Sequence, residues 1–149
     1  QGYCTRRTTG QVYAFGVTAI SQLQTAYAQN GRDIEAYIRC IEAGKPYTYR
    51  GYELTTQEQM VREVIEQMMC NYHFSWSEIA ARLGCTPAEV KAATNYDEQK
   101  LKEMEADGLI QLSEDSISMT QTGSPFVRNV VATLDPLMAH TDKKFSKPI

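Results

Sequence analysis

Met60, Val61, Val64, Ile65, Met68 and Met69 recur at three- and four-residue spacing behind the start signal Thr55-Thr56-Gln57-Glu58. A hydroxyl residue followed three positions later by glutamate satisfies the orphan amides of a first turn, so a long helix begins here. Its apolar stripe demands burial, and the chain downstream is punctuated to supply partners. Ser75 opens a short helix through Leu83 that Gly84 breaks, and Thr86-Pro87 starts another. Asp97–Asp107 reads as a further helix, with Leu101 and Met104 inward and Gly108 as its stop. Leu109–Leu112 and Ser116–Thr120 alternate apolar and polar residues around Ser113-Glu114-Asp115, which predicts a compact antiparallel β-hairpin. Ser124-Pro125 then initiates a helix carrying Phe126, Val127, Val130, Val131, Leu134 and Leu137, ahead of a basic tail from Lys143.

Helix, turn, helix, helix, hairpin is the order of a winged-helix module, a fold often used to read DNA. Charge argues against that use. Between Ser75 and Asp115 stand nine acidic residues and four basic ones, and Glu114-Asp115 at the wing would meet phosphates with the wrong sign. The net charge of −3 points the same way, so a structural or protein-contacting module is expected and no nucleic-acid partner.

The first half is built differently. Asp33 caps a helix with Ile34, Tyr37, Ile38 and Ile41 on one face, and Gly44 with Pro46 stops it. Val12–Ser21 is β-rich and largely apolar, as in a buried strand or its approach. Tyr47–Leu54 reads as an extended connector. The opening thirty residues are rich in glycine, tyrosine and hydroxyls and contain no acidic residue, while Arg6 and Arg7 sit among them. The chain starts at Gln1 with no initiator Met, so this stretch is expected to be the trailing edge of a ligand site whose remainder lies upstream.

Composition excludes several classes. Apolar content of 42% with 22% charged residues is ordinary for a globular domain. No apolar run approaches the roughly 18–20 residues needed to span a bilayer, and the reading is a soluble, cytoplasmic protein without membrane contact. Cys4, Cys40, Cys70 and Cys85 form no CxxC pair, and His73 and His140 lie far apart in sequence, so a metal site made by this chain alone is not expected. Reduced, mostly buried thiols are the expectation.

Several short runs in one order carry a resemblance. They are Gln1-Gly2-Tyr3, Phe15–Ser21, Tyr27–Asn30, Arg50-Gly51 with Leu54-Thr55, Arg62 with Val64-Ile65, Met69-Cys70-Asn71, and Gly123 with Arg128-Asn129 and Asp135. Together they look like the C-terminal part of oxygen-independent coproporphyrinogen III oxidase, the radical S-adenosylmethionine enzyme of anaerobic haem synthesis. The resemblance runs nearly end to end, and a related haem chaperone is the near neighbour.

The resemblance implies an architecture and a chemistry. Residues 1–31 would be the closing stretch of an upstream, partial TIM-type barrel. Residues 32–149 would be a mainly α, winged-helix-like domain with one small β-hairpin. In the family a 4Fe–4S cluster on a Cys-x3-Cys-x2-Cys loop and S-adenosylmethionine drive the oxidative decarboxylation of two propionates of coproporphyrinogen III to the vinyls of protoporphyrinogen IX. That loop is absent here, so the fragment alone is expected to be inert and to bind neither group. By motif match, Gln1 and Ile20 correspond to residues lining the S-adenosylmethionine pocket, while Arg6 and Arg7 are candidates to clamp substrate carboxylates. The expected partner is the tetrapyrrole through a monomeric full-length enzyme, with self-association open to the fragment. The alternatives are a non-catalytic winged-helix interaction module and the haem chaperone.

Overall fold

The structure is a computed structural model and describes residues 11–139. It divides between Gln59 and Met60 into two compact units. Within the first, β1 (Ile20–Gln22), β2 (Ala26–Asn30) and β3 (Thr48–Glu53) form an antiparallel sheet in the order β1-β2-β3, and α1 (Ile34–Glu42) lies between β2 and β3 in sequence. The helix α2 (Thr56–Asn71) leads into the second unit. There β4 (His73–Ser75) precedes α3 (Trp76–Leu83), α4 (Pro87–Ala93) and α5 (Glu98–Ala106). The strands β5 (Ile110–Leu112) and β6 (Ser116–Met119) follow, then a 3-10 turn at Ser124–Phe126, α6 (Val127–Leu134) and α7 (Pro136–Ala139). The second sheet is antiparallel in the order β4-β6-β5.

Most downstream expectations are met, but the last helix is divided: Ser124–Phe126 forms a 3-10 turn, α6 ends at Leu134, and Phe126 and Leu137 stay exposed. Met60, Val61, Val64 and Met68 of α2 pack with Phe74, Trp76, Ile79, Val90, Leu101, Ile110, Ile117, Val130 and Leu134 in one core. Ser75, Thr86 and Asp97 each cap the helix that follows, Thr86 through a full capping box with Glu89. The hairpin forms where alternation placed it. Its turn has a structural duty: Asp115 Oδ1 accepts from the Ser77 amide at 3.0 Å, and Oδ2 accepts from the Ser75 hydroxyl at 2.5 Å. The Asp115 carbonyl also accepts from the Trp76 amide at 2.8 Å. The acid at the hairpin turn therefore closes the N-terminus of α3, where a negative charge is favoured.

Those bonds, the Ser75 hydroxyl first and Ser77 next, hold the Asp115 carboxyl below its ordinary value. Glu58 is lowered by Tyr52 and then Thr55, and Glu89 by Thr86. A carboxyl with a depressed folded pKa contributes stability above its unfolded pKa and loses it as pH falls through the folded value. Asp115→Asn, which keeps an acceptor for Ser77 but removes the charge, should lower the thermal midpoint at pH 7. The gap from wild type should close as the pH drops below the ordinary aspartate range, and a gap unchanged down to pH 2.5 would contradict the assignment.

Three expectations are corrected. Val12–Ser21 is not a buried strand: Gly16 and Thr18 take positive φ and turn the chain, Phe15 is 87% exposed, and apart from a single bridge of Val12 to Gln22 the strand begins only at Ile20. Tyr47–Leu54 is no connector, because Thr48–Glu53 pairs along β2. With β4 added to the second sheet, the single small hairpin becomes two three-stranded sheets. The helix α1 forms as expected under its Asp33 cap, yet it buries no residue, and Ile34, Ile38 and Ile41 stay exposed. The helix α2 ends at Asn71, and Tyr72 after it takes the left-handed conformation, at φ 58°.

Candidate functional site

Of the residues that the sequence nominates, Gln1, Arg6 and Arg7 lie outside the described residues. Ile20 opens β1 and is 44% exposed. Its surroundings follow from strand registry. In an antiparallel sheet, residues directly opposite one another share a face, and neighbours along a strand alternate faces. Ile20 stands opposite Gln29, which stands opposite Arg50. Two residues along, Gln22, Tyr27 and Tyr52 form a second row on the same face. The row between them, Ser21, Ala28 and Gly51, belongs to the other face and carries only small side chains. One side of the sheet therefore carries amides, phenols, an aliphatic group and a guanidinium, while the centre of the other carries only small side chains.

Hydrogen bonds fix the polar row. Arg50 donates its Nε–H to Gln29 Oε1 at 2.8 Å, and Gln29 Nε2 donates to the Thr18 carbonyl at 3.3 Å. The Thr18 amide donates to the Gly31 carbonyl at 2.8 Å, and Asn30 Nδ2 donates to the Gly16 carbonyl at 2.8 Å. From α1 the Tyr37 hydroxyl accepts from the Gly16 amide at 3.0 Å. These contacts hold Thr18 at φ 59°, a conformation that costs a β-branched residue energy and persists only where surroundings enforce it. At the second row, the Tyr52 hydroxyl donates to Glu58, whose carboxylate also accepts from Thr55. That raises the tyrosine's pKa and lowers the glutamate's.

The reading from sequence placed Ile20 in a site but took Gln29 and Arg50 only as parts of matching runs. The signal for them was local. Tyr27 and Gln29 alternate with Ala26 and Ala28, the two-residue period of a strand, and the same holds for Arg50 and Tyr52 around Gly51.

Nothing comparable stands in the second unit. A shallow open depression along α5 is lined by Glu98, Gln99, Lys102, Glu103 and Ala106, with Glu98 and Lys102 paired at 2.7 Å across one helical turn. Lys91 sits over the Tyr96 ring at 3.8 Å. Cys40, Cys70 and Cys85 form no disulfide with one another and are half-buried, and among the described residues no three of His, Cys, Asp and Glu gather as metal ligands. No described helix is long and apolar enough to cross a membrane.

Comparison with known proteins now adds to this geometry. Residues 54–126 match the family described as HemN C-terminal domain. The oxygen-independent coproporphyrinogen III oxidase of Helicobacter pylori (strain J99 / ATCC 700824) is 32% identical over 149 residues, covering 100% of this chain and 32% of the relative. That of Bradyrhizobium diazoefficiens is 35% identical over 144 residues, covering 95% of this chain and 30% of the relative. Among solved structures, coproporphyrinogen III oxidase (HemN) from Escherichia coli, a radical SAM enzyme, superposes with a TM-score of 0.68 at 29% identity. It covers 85% of this chain and 29% of that one. The chain thus spans about a third of the length of these relatives.

Proposed function

Since the chain resembles the C-terminal part of oxygen-independent coproporphyrinogen III oxidase along its whole length, we propose that it serves as that part of such an enzyme. The reaction would be the oxidative decarboxylation of two propionates of coproporphyrinogen III to vinyl groups, a step of haem synthesis. The alignment to the Helicobacter pylori oxidase over all 149 residues carries this reading. The absence of a disulfide among Cys40, Cys70 and Cys85 fits the reducing cytoplasm.

Within that role, residues 1–31 are assigned to the closing stretch of an upstream barrel, and residues 32–149 to the accessory domain. The order β4-β6-β5, with α3, α4 and α5 between β4 and β5, supports reading the second unit as winged-helix-like. Ile20 fits a wall of the S-adenosylmethionine pocket because it is an accessible aliphatic side chain on an otherwise polar face. Gln1 is proposed as its polar companion, and Arg6 and Arg7 as contacts for carboxylates. When bound, S-adenosylmethionine would supply the hydrogen-abstracting power. This chain's residues would seat ligand against Ile20 and orient its polar groups along the Gln29 row. The cluster's ligands are assigned to the upstream Cys-x3-Cys-x2-Cys loop.

The test compares coproporphyrinogen decarboxylation by the full-length protein, by the protein lacking Gln1–Ile149, and by Gln1–Ile149 alone. Turnover is expected only in the first. A full-length protein that binds haem and decarboxylates nothing would be the chaperone relative, and one lacking the cysteine loop would be an interaction module.

A further inference from the structure

We infer that Arg50 is a carboxylate-binding residue, oriented by Gln29, on the same sheet face as Ile20. The inference rests on the proposed function and adds a residue and a ligand group to it.

The geometry of the guanidinium comes first. Its Nε–H is committed to Gln29 Oε1 at 2.8 Å, and Gln29 is in turn held by the Thr18 carbonyl. An arginine has five N–H donors in a planar fork, so this leaves both terminal nitrogens and four donors for an end-on, bidentate partner. No ion pair of Arg50 occurs among the described residues. The group is exposed, positively charged and already turned in one direction, which reduces the side-chain freedom that binding would remove.

The electrostatic surroundings agree. Ile20, Gln22, Tyr27, Gln29 and Tyr52, which share the face, are all uncharged. Glu53 points to the opposite face, two alternations beyond Gly51. Glu58 reaches Tyr52, but its carboxylate is taken up by that hydroxyl and by Thr55. Among the described strand residues an anion approaching this face meets one cation, Arg50, and no strand carboxylate that competes for it.

The cost of the arrangement is a third observation. Thr18 is held in the left-handed region, and its carbonyl is the group that fixes Gln29. Backbone strain of this kind concentrates where geometry serves a site. Across two strand spacings Arg50 stands about 10 Å from Ile20. A ligand packed on Ile20 can therefore extend a carboxylate to Arg50, whereas one small contact group cannot touch both. Carboxylate is the chemistry named by the fork. It has two sources in the proposed reaction, a propionate of the tetrapyrrole and the methionine carboxylate of S-adenosylmethionine.

The experiment uses the full-length holoenzyme and two probes measured by equilibrium titration, coproporphyrin III and S-adenosylmethionine. Arg50→Gln should raise Kd about tenfold for one probe and leave the other within twofold of wild type. The affected probe identifies the source of the carboxylate. Arg50→Lys, which keeps the charge and loses the fork, should recover less than half of the lost affinity on a logarithmic scale. Gln29→Leu should weaken the same probe about threefold. If Arg50→Gln leaves both Kd values within twofold, the assignment is overturned while the proposed function stands. Equal weakening of both probes with a lowered Tm would make Arg50 structural, and also overturns it. If the wild-type protein binds neither probe, the functional reading fails and this inference falls with it.

Discussion

Gly123→Ala is expected to destabilise residues 60–139 by about 3 kcal/mol or more, the upper range for forced overpacking. The reason is not backbone freedom, for Gly123 has φ −77°, open to any residue. It is room. A Cβ there would lie inside the Leu109 carbonyl oxygen, 2.6 Å from the carbonyl carbon and 2.8 Å from Cα. The obstacle is main chain and cannot swing away. Moreover, that main chain is fixed: the Leu109 carbonyl accepts from the Thr120 amide at 3.0 Å, and the Gly123 amide donates to Thr120 Oγ1 at 2.8 Å. Relieving the clash means parting the Thr120–Gly123 turn from the start of β5. Gly84→Ala is the control, because Gly84 has φ 70° and nothing within 4 Å of its would-be Cβ. It should cost only about 1–2 kcal/mol, the penalty of a left-handed alanine. Denaturant midpoints of the two variants should separate clearly, and equal shifts would refute the argument from space.

Phe74→Ala should cost about 3–5 kcal/mol, the range for deleting a buried aromatic. Phe74 is 2% exposed, and its ring meets Trp76 edge-on at a centroid distance of 4.7 Å. Trp76 in turn meets Tyr96 edge-on at 6.0 Å. Removing the ring opens a void between α3 and the second sheet and takes away one wall of the tryptophan's site. The emission of Trp76 should accordingly shift to longer wavelength in the folded variant, and the unfolding free energy should drop. A variant with wild-type emission and less than 1 kcal/mol of loss would show that the core closes over the gap.

These two variants probe the part of the molecule most legible in the sequence. From Thr55 onward nearly every boundary was set by a local device: a capping hydroxyl, a proline at a first turn, a glycine at a stop. Most apolar residues at helical spacing became buried, with Phe126 and Leu137 at the ends of the last helical stretch as exceptions. What failed was non-local. β4 is only His73–Ser75, too short for alternation to show, and exists because β6 pairs with it. Thr48–Glu53 has no buried residue, so no apolar period marked it as a strand; pairing with β2 made it one. Around Val12–Ser21 apolar composition suggested burial, but Gly16 and Thr18 turn the chain outward, and side chains distant in sequence, Tyr37 and Asn30, enforce that turn. The site divides the same way. Ile20 was reached through a motif, while the Gln29 and Arg50 pair became visible only once register placed them side by side.

The contrast between the two units bears on how the molecule comes apart. Every buried hydrophobic side chain of the described residues lies from Met60 onward. The three strands and the helix before it are joined by hydrogen bonds without an apolar interior of their own. Small sheets of that kind open easily in water, so amide exchange should be rapid across Ala26–Asn30 and slow along Val64, Ile110 and Ile117. Unfolding should then proceed in two steps instead of one, and the single tryptophan, Trp76, senses only the later. The first step would pass unseen by fluorescence while it dismantled the face that carries Ile20 and Arg50.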